Sequence, residues 1–204
     1  WYGHGSGLVV AAVLWWAGDP RCTGNWANRI LLWGMFGTHY VNRSFIFAIR
    51  IKAPKPIPVS TLIATFLFCA VNGYVQARYL TQFRVYEEDA VLSPVFWLGV
   101  AVFAAGMYVN VSSDNALARL RKPGETGYKI PQGGMFSLVS GANFLGEILE
   151  WTGYAIAMQG LPGATFAFTT LCSIGPRAVQ HHRWYKEKFE DYPPERKALI
   201  PYLL

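Results

Sequence analysis

Two stretches of this chain carry no charged side chain for longer than a bilayer's hydrocarbon core is thick: Pro56 to Ala77, 22 residues, and Val91 to Ser113, 23 residues. A helix rises about 1.5 Å per residue, so roughly 20 apolar residues span that core. The two runs therefore predict spanning helices. Ile30 to Ile49 is a third candidate, with His39, Tyr40, Asn42 and Arg43 inside it, and Met135 to Ala157 a fourth, with Asn143, Glu147 and Glu150 inside it. Thr165 to Val179 makes a shorter fifth. Leu8 to Trp16 is too short to cross alone and reads as the remainder of a longer helix. The expected fold is all-α: a polytopic integral membrane helical bundle of about six spans, forming a single membrane-embedded domain over residues 1–204. Residues 1–16 are expected to be an incomplete or non-native N-terminal part.

Composition agrees with that reading and excludes others. Only 15% of the 204 residues are charged, whereas 52% are hydrophobic and 16% aromatic; a soluble domain carries roughly 25% charge. Six spans leave no room for a separate soluble catalytic domain. Gly3, Gly5 and Gly7 do not form the G-x-G-x-x-G fingerprint of a doubly wound nucleotide-binding fold, which also needs a preceding strand. The net charge of +6 is spread over short segments rather than gathered in one basic face, so no nucleic-acid partner is expected. Cys22, Cys69 and Cys172 make no C-x-x-C pair and predict neither a disulfide framework nor a zinc site. No cleavable leader is recognisable, because no basic segment precedes the first apolar run.

Lysine and arginine alternate between rich and poor connections. Arg50 to Lys55 holds three, Ser113 to Gly134 four, and the tail from His181 five; Gly18 to Ala27 and Thr81 to Ala90 hold one each, and Met158 to Gly163 none. Strict alternation is what successive crossings require, and the rich set is expected in the cytoplasm.

Ionisable groups inside a span are expensive unless paired or facing a cavity, so each is a functional candidate. Asn143, Glu147, Glu150, Trp151 and Tyr154 share one helix face, either a polar wall of an internal pocket or a network that ties helices together. Asn110, Asp114, Leu117 and Arg121 form a second stripe, which Arg121-Lys122-Pro123-Gly124 should end. Its amide, carboxylate and guanidinium can grip a phosphorylated, ribose-bearing ligand; a solvated helix end with a local ion pair is the alternative. His181 and Tyr185 lie one turn apart in a basic, aromatic segment, which suits a membrane-surface anchor or half of a ligand site. Adjacent His181 and His182 point about 100° apart and do not chelate one metal. In His39-Tyr40-Val41-Asn42-Arg43, the Tyr40 hydroxyl can act as a neutral donor to a carbonyl or as a general acid; an interfacial tyrosine beside a structural arginine is the plainer reading.

Several blocks together resemble the steroid 5α-reductase family. They are Arg121-Lys122-Pro123-Gly124-Glu125, the stretch Y-K-I-P-Q-G-G from Tyr128 to Gly134, the block N-F-L-G-E-I-L-E-W from Asn143 to Trp151, and the tail from His181 to Pro201. The Asn143 block is the more specific and is similar to the vertebrate type 2 members. The element from Phe189 to Pro201 is shared more widely, by enoyl-CoA, sterol and related membrane reductases. The resemblance covers about Ile30 to Leu204 and is weaker around Thr81 to Ala90.

The resemblance implies reduction of the 4,5 double bond of 3-oxo-4-ene steroids, such as testosterone or progesterone, with NADPH inside a seven-helix bundle. It places Asn110, Asp114, Arg121, Tyr128, Lys129, Asn143, Glu147, Arg177, His181 and Tyr185 at the cofactor, with Trp151 nearby. Lys129 stands where close members often have arginine, which keeps the charge but loses bidentate phosphate binding. Tyr40 matches the tyrosine that hydrogen-bonds the steroid 3-ketone. The family joins a glutamate on the preceding helix to that tyrosine; the first glutamate here is Glu87, so no residue matches it. The implied surroundings are a steroid entering from the lipid bilayer, membrane lipids, and a cofactor arriving from the cytoplasm, with no metal. The membrane is either a bacterial inner membrane or that of the endoplasmic reticulum. A related reductase of an enoyl-CoA or another sterol double bond is the alternative within this chemistry, and a non-catalytic or methyl-transferring bundle the alternative outside it.

Overall fold

The computed structural model describes residues 4–50, 57–120 and 127–204. Among them the chain is helical with no strand, apart from one isolated parallel bridge between Val139 and Lys197. The helices are α1 (Gly5–Trp16), α2 (Pro20–Thr23), α3 (Trp26–Arg29), α4 (Thr38–Val41), α5 (Phe47–Arg50), α6 (Val59–Arg78), α7 (Pro94–Arg119), α8 (Ala142–Met158) and α9 (Leu161–Lys188). Wide π turns at Ile30–Gly37 and Asn42–Ile46 join α3, α4 and α5 into one continuous helix, and Tyr79–Phe83 extends α6 in the same way.

Two helical segments, Val59–Phe83 and Pro94–Arg119, are long and apolar enough to cross a membrane, as the two uncharged runs predict. Only 17% and 28% of their apolar windows are buried inside the protein. Phe66, Leu67, Phe68, Val71, Trp97 and Leu98 all stand exposed. Water does not tolerate apolar surface on that scale, whereas lipid does. This is an all-helical membrane protein.

Two expected boundaries are corrected. The fourth run does not begin as a helix at Met135: a short 3-10 turn covers Gly134–Ser137, and α8 starts at Ala142. Gly133 and Gly134 hold φ of 80° and 53°, a left-handed conformation that breaks a helix. The Ser140 and Gly141 amides then donate to Lys197 O and Ala198 O of the tail, at 2.8 and 2.9 Å, instead of to a preceding turn. The fifth run is longer than expected, because α9 continues for 28 residues from Leu161 to Lys188. No glycine or proline interrupts Arg177 to Lys188, so nothing there stops the helix. The expected stop at Arg121 to Gly124 lies outside the described residues.

The chain packs as two compact units, one from residues 1–100 and 154–164, the other from 101–153 and 165–204. In the first, α1 lies on α6 through small residues. The Ser6 hydroxyl donates to Phe66 O at 2.9 Å, and a Cβ on Gly73 would come within 2.7 Å of the Gly7 backbone. Asp19 caps α2, with Pro20 at its first position, and Asn25 caps α3. Buried Asn28 ties these short helices to the end of the α6 extension, donating to Cys22 O, Leu80 O and Arg84 O at 3.0, 2.8 and 2.7 Å. The π turns hold Leu32, Phe36, Tyr40 and Ser44 on one buried face at a spacing of four, which a turn of 3.6 residues would let drift.

In the second unit α7 and α8 meet backbone to backbone. A Cβ on Gly106 would strike the Glu150 amide and lie 2.7 Å from Gly146 O; one on Gly146 would strike the Asn110 amide. Small residues at such a crossing permit close dispersion contact where no hydrophobic force draws helices together. Around it, Trp151 packs against Phe166 and Phe103, with ring centroids 4.2 and 6.4 Å away. Phe136, Val139 and Ala142 form a further small core with Leu117, Leu138 and Leu145.

Gly106→Ala should force α7 and α8 apart and lower stability by about 1–3 kcal/mol, the usual range for overpacking, a drop of roughly 3–10 °C in apparent Tm in detergent. Gly175→Ala, whose Cβ would meet only Leu171 Cδ1 at 3.7 Å, should leave Tm unchanged or slightly raised. Equal behaviour of the two variants would refute the close crossing.

Candidate active site

Tyr40 belongs to the first unit and sits on α4, in the α-helical turn between the two π segments. It is 2% exposed and lies against Phe36, centroid to centroid 4.6 Å, and edge-on to His39 at 5.3 Å. Its hydroxyl oxygen accepts from Asn72 Nδ2 at 3.2 Å. A buried neutral phenol beside a side-chain amide is a competent hydrogen-bond donor to a carbonyl, since accepting one hydrogen bond strengthens the donation of another.

All the described residues of the expected cofactor set lie in the second unit. The glycine crossing places them. Asn110 is one turn after Gly106, is 1% exposed, and donates from Nδ2 to Asn143 O at 2.9 Å. Asp114, one turn further along α7, is 5% exposed. Asn143 and Glu147 stand half-buried one turn apart on α8, on either side of Gly146. Trp151 is enclosed by Phe103 and Phe166 and is 1% exposed, a packed position rather than an open one. Arg121 lies outside the described residues.

The rest of the set comes from α9 and the segment before α8. Arg177, His181 and Tyr185 follow at four-residue intervals on α9, so they share a face. Arg177 is exposed; His181 meets Phe144 edge-on at 5.5 Å. Tyr185 stacks on Tyr192 at 5.4 Å, and exposed Tyr128 meets Trp184 edge-on at 4.9 Å, beside exposed Lys129. Burial, and secondarily the Arg177 charge, hold His181 below its ordinary pKa. The set thus combines two exposed cations, two carboxylates, amides and aromatic faces. Those are the chemical types that a phosphorylated dinucleotide requires for its phosphates, ribose hydroxyls and base.

Sequence reasoning passed over a cluster that anchors this region. Ser140 Oγ lies 2.6 Å from both His182 Nδ1 and Tyr192 Oη and 3.1 Å from Lys197 O. The Arg196 guanidinium, 2% exposed, donates to Pro131 O at 3.1 Å and to Gln132 Oε1 at 3.3 Å. The tail therefore holds the segment that carries Tyr128 and Lys129. Two further polar residues, Asn72 and Gln76, were legible as an i, i+4 pair inside an uncharged run.

The family model described as 3-oxo-5-alpha-steroid 4-dehydrogenase matches residues 55–204. The mouse protein named 3-oxo-5-alpha-steroid 4-dehydrogenase 1 is 55% identical over 181 residues, 89% of this chain and 71% of its own length. The human type 1 protein is 46% identical over 177 residues, 87% and 68% of the two chains. The pig type 2 protein is 48% identical over 196 residues, 96% and 76%. The matched family and relatives make the chain an oxidoreductase, of a class consistent with a nicotinamide cofactor. More narrowly, the chain belongs to the 3-oxo-5-alpha-steroid 4-dehydrogenase family and is vertebrate-like within it.

Burial, then the charges of Lys186, Lys197 and Arg196, keep the His182 pKa below its ordinary 6.5. A histidine pKa lowered by folding leaves stability fully present above about pH 6.5 and removes it as pH falls toward the folded value. Apparent Tm should thus fall between pH 7.5 and 5.5, and fall less in His182→Asn, whose amide does not titrate and can still hydrogen-bond Ser140 Oγ. An identical acid sensitivity in both proteins would show that His182 does not contribute.

Proposed function

We propose that this enzyme reduces the 4,5 double bond of 3-oxo-4-ene steroids, such as testosterone or progesterone, to 5α-reduced steroids with NADPH. Membership of the 3-oxo-5-alpha-steroid 4-dehydrogenase family over residues 55–204 carries this reading. The bound cofactor supplies a hydride to C5 of the conjugated enone. Tyr40 donates its hydroxyl hydrogen bond to the 3-oxygen and stabilises the negative charge that develops there, and a proton at C4 completes the reduction. Burial of Tyr40 excludes water and strengthens that donation.

On the cofactor side, Arg177, Lys129 and Arg121 supply positive charge to the phosphates, Glu147 and Asn143 accept from and donate to ribose hydroxyls, and Tyr128 and Tyr185 offer aromatic faces. Asn110, which donates to Asn143 O, and Asp114 line the cofactor site from α7. The chain crosses the membrane several times with its basic connections in the cytoplasm, where the cofactor is available, while the steroid arrives through lipid. The membrane remains either a bacterial inner membrane or that of the endoplasmic reticulum.

Tyr40→Phe should lower steroid turnover by about 100-fold or more, the usual worth of one positioned donor, and leave NADPH affinity within about twofold. Equal loss of turnover and NADPH binding would show that the tyrosine is misassigned.

Glu147→Gln and Arg121→Ala should instead raise the KM for NADPH by about tenfold, equivalent to about 1.4 kcal/mol each, with little change in the steroid KM. An unchanged cofactor KM in both would overturn the cofactor assignment. In the same assays, turnover of an enoyl-CoA in preference to testosterone and progesterone would replace the steroid with another conjugated substrate.

A further inference from the structure

A line of three hydrogen bonds ends on Tyr40. Gln76 Nε2 donates to Pro162 O at 3.0 Å and to Asn72 Oδ1 at 3.2 Å, and Asn72 Nδ2 donates to Tyr40 Oη at 3.2 Å. All four residues belong to the first unit. Gln76, Tyr40 and Asn72 are 1%, 2% and 9% exposed, so bulk water is not available to substitute for any of these partners.

The direction of this line is determined at its far end. A backbone carbonyl can only accept, so Gln76 must turn its nitrogen, not its oxygen, toward Pro162. The second hydrogen on that nitrogen requires an acceptor from Asn72, which therefore presents Oδ1 to Gln76. Its own nitrogen is left facing Tyr40. An amide nitrogen does not accept, so the Tyr40 oxygen must accept there, and its proton is directed elsewhere. Turning the Gln76 amide over would set oxygen against oxygen at Pro162. The arrangement holds even though Gln76 Oε1 is buried with no hydrogen-bond partner among the described residues, which points to a role for the direction itself.

We infer that Asn72 and Gln76 are positioning residues: they hold Tyr40 as an acceptor toward α6 and thereby reserve its proton for the substrate carbonyl. This rests on the proposed role of Tyr40 as the ketone donor. It also gives that role a physical basis, because a phenol free to rotate spends part of its time with its proton on a competing acceptor. Neither residue touches substrate in this scheme; both act through Tyr40.

A double-mutant cycle tests it, read as the single-turnover rate of NADPH oxidation with saturating testosterone, beside NADPH affinity. Asn72→Leu should slow turnover about tenfold in the wild-type background and less than twofold in the Tyr40→Phe background. Asn72→Asp keeps the size but offers Tyr40 an acceptor. It should also slow turnover about tenfold while NADPH affinity stays within about twofold, and it carries the test where Asn72→Leu fails to assemble. If Asn72→Leu costs the same factor in both backgrounds, or Asn72→Asp turns over at the wild-type rate, the relay is refuted while the role of Tyr40 stands. If Tyr40→Phe itself leaves turnover unchanged, the role of Tyr40 falls, and the relay falls with it.

Discussion

A hydrocarbon surrounding offers no hydrogen bonds, and most of this molecule follows from that one constraint. Every amide placed among apolar helices must find its partner inside the protein. Asn28, Gln76 and Asn110 donate to backbone carbonyls and Asn72 donates to the Tyr40 hydroxyl, and each of these bonds joins two stretches distant in the chain. In water these groups would be nearly neutral to folding. In lipid they act as ties, because separating the elements would leave a polar group without a partner. The polar residues thus serve two ends: they hold helices together and they fix the orientation of functional groups.

The other means of holding helices together is the removal of side chains. Gly7 and Gly73 let α1 lie on α6, and Gly106 and Gly146 let α7 meet α8. The second contact matters most for chemistry. It sets Asn110 and Asp114 on one helix and Asn143 and Glu147 on the other at a fixed separation, as the proposed cofactor site requires.

The helices were legible in the sequence wherever charge was absent for a full membrane thickness, as at Val59–Phe83 and Pro94–Arg119. The start of α8 was not, because Met135 to Gly141 is as apolar as a helix while its Ser140 and Gly141 amides pair with the tail, a long-range choice that no local pattern reveals. The end of α9 was missed for the opposite reason: a change from apolar to basic composition marks where lipid stops, not where hydrogen bonding stops. For the site, Tyr40 and the Asn143 block stood out as polar groups inside spans, and family resemblance gave them roles. Ser140, Tyr192 and Arg196 stayed hidden, because one serine before α8 and a tyrosine and an arginine in a polar tail look ordinary until the fold brings tail and segment together. Asn72 and Gln76 were visible at helical spacing, yet their purpose depends on a carbonyl 86 positions from Gln76.

The glycine crossing of α7 and α8 has one more consequence. A gap set by side chains can be widened or narrowed by exchanging them, but main chain resting on main chain is already at its limit and works like a fixed ruler. Any retuning of this enzyme toward a different cofactor or ligand must therefore act on the residues that flank the crossing. In the proposed cofactor site, variation at Asn143 or Glu147 would alter what is gripped, whereas the spacing of the jaws would stay constant.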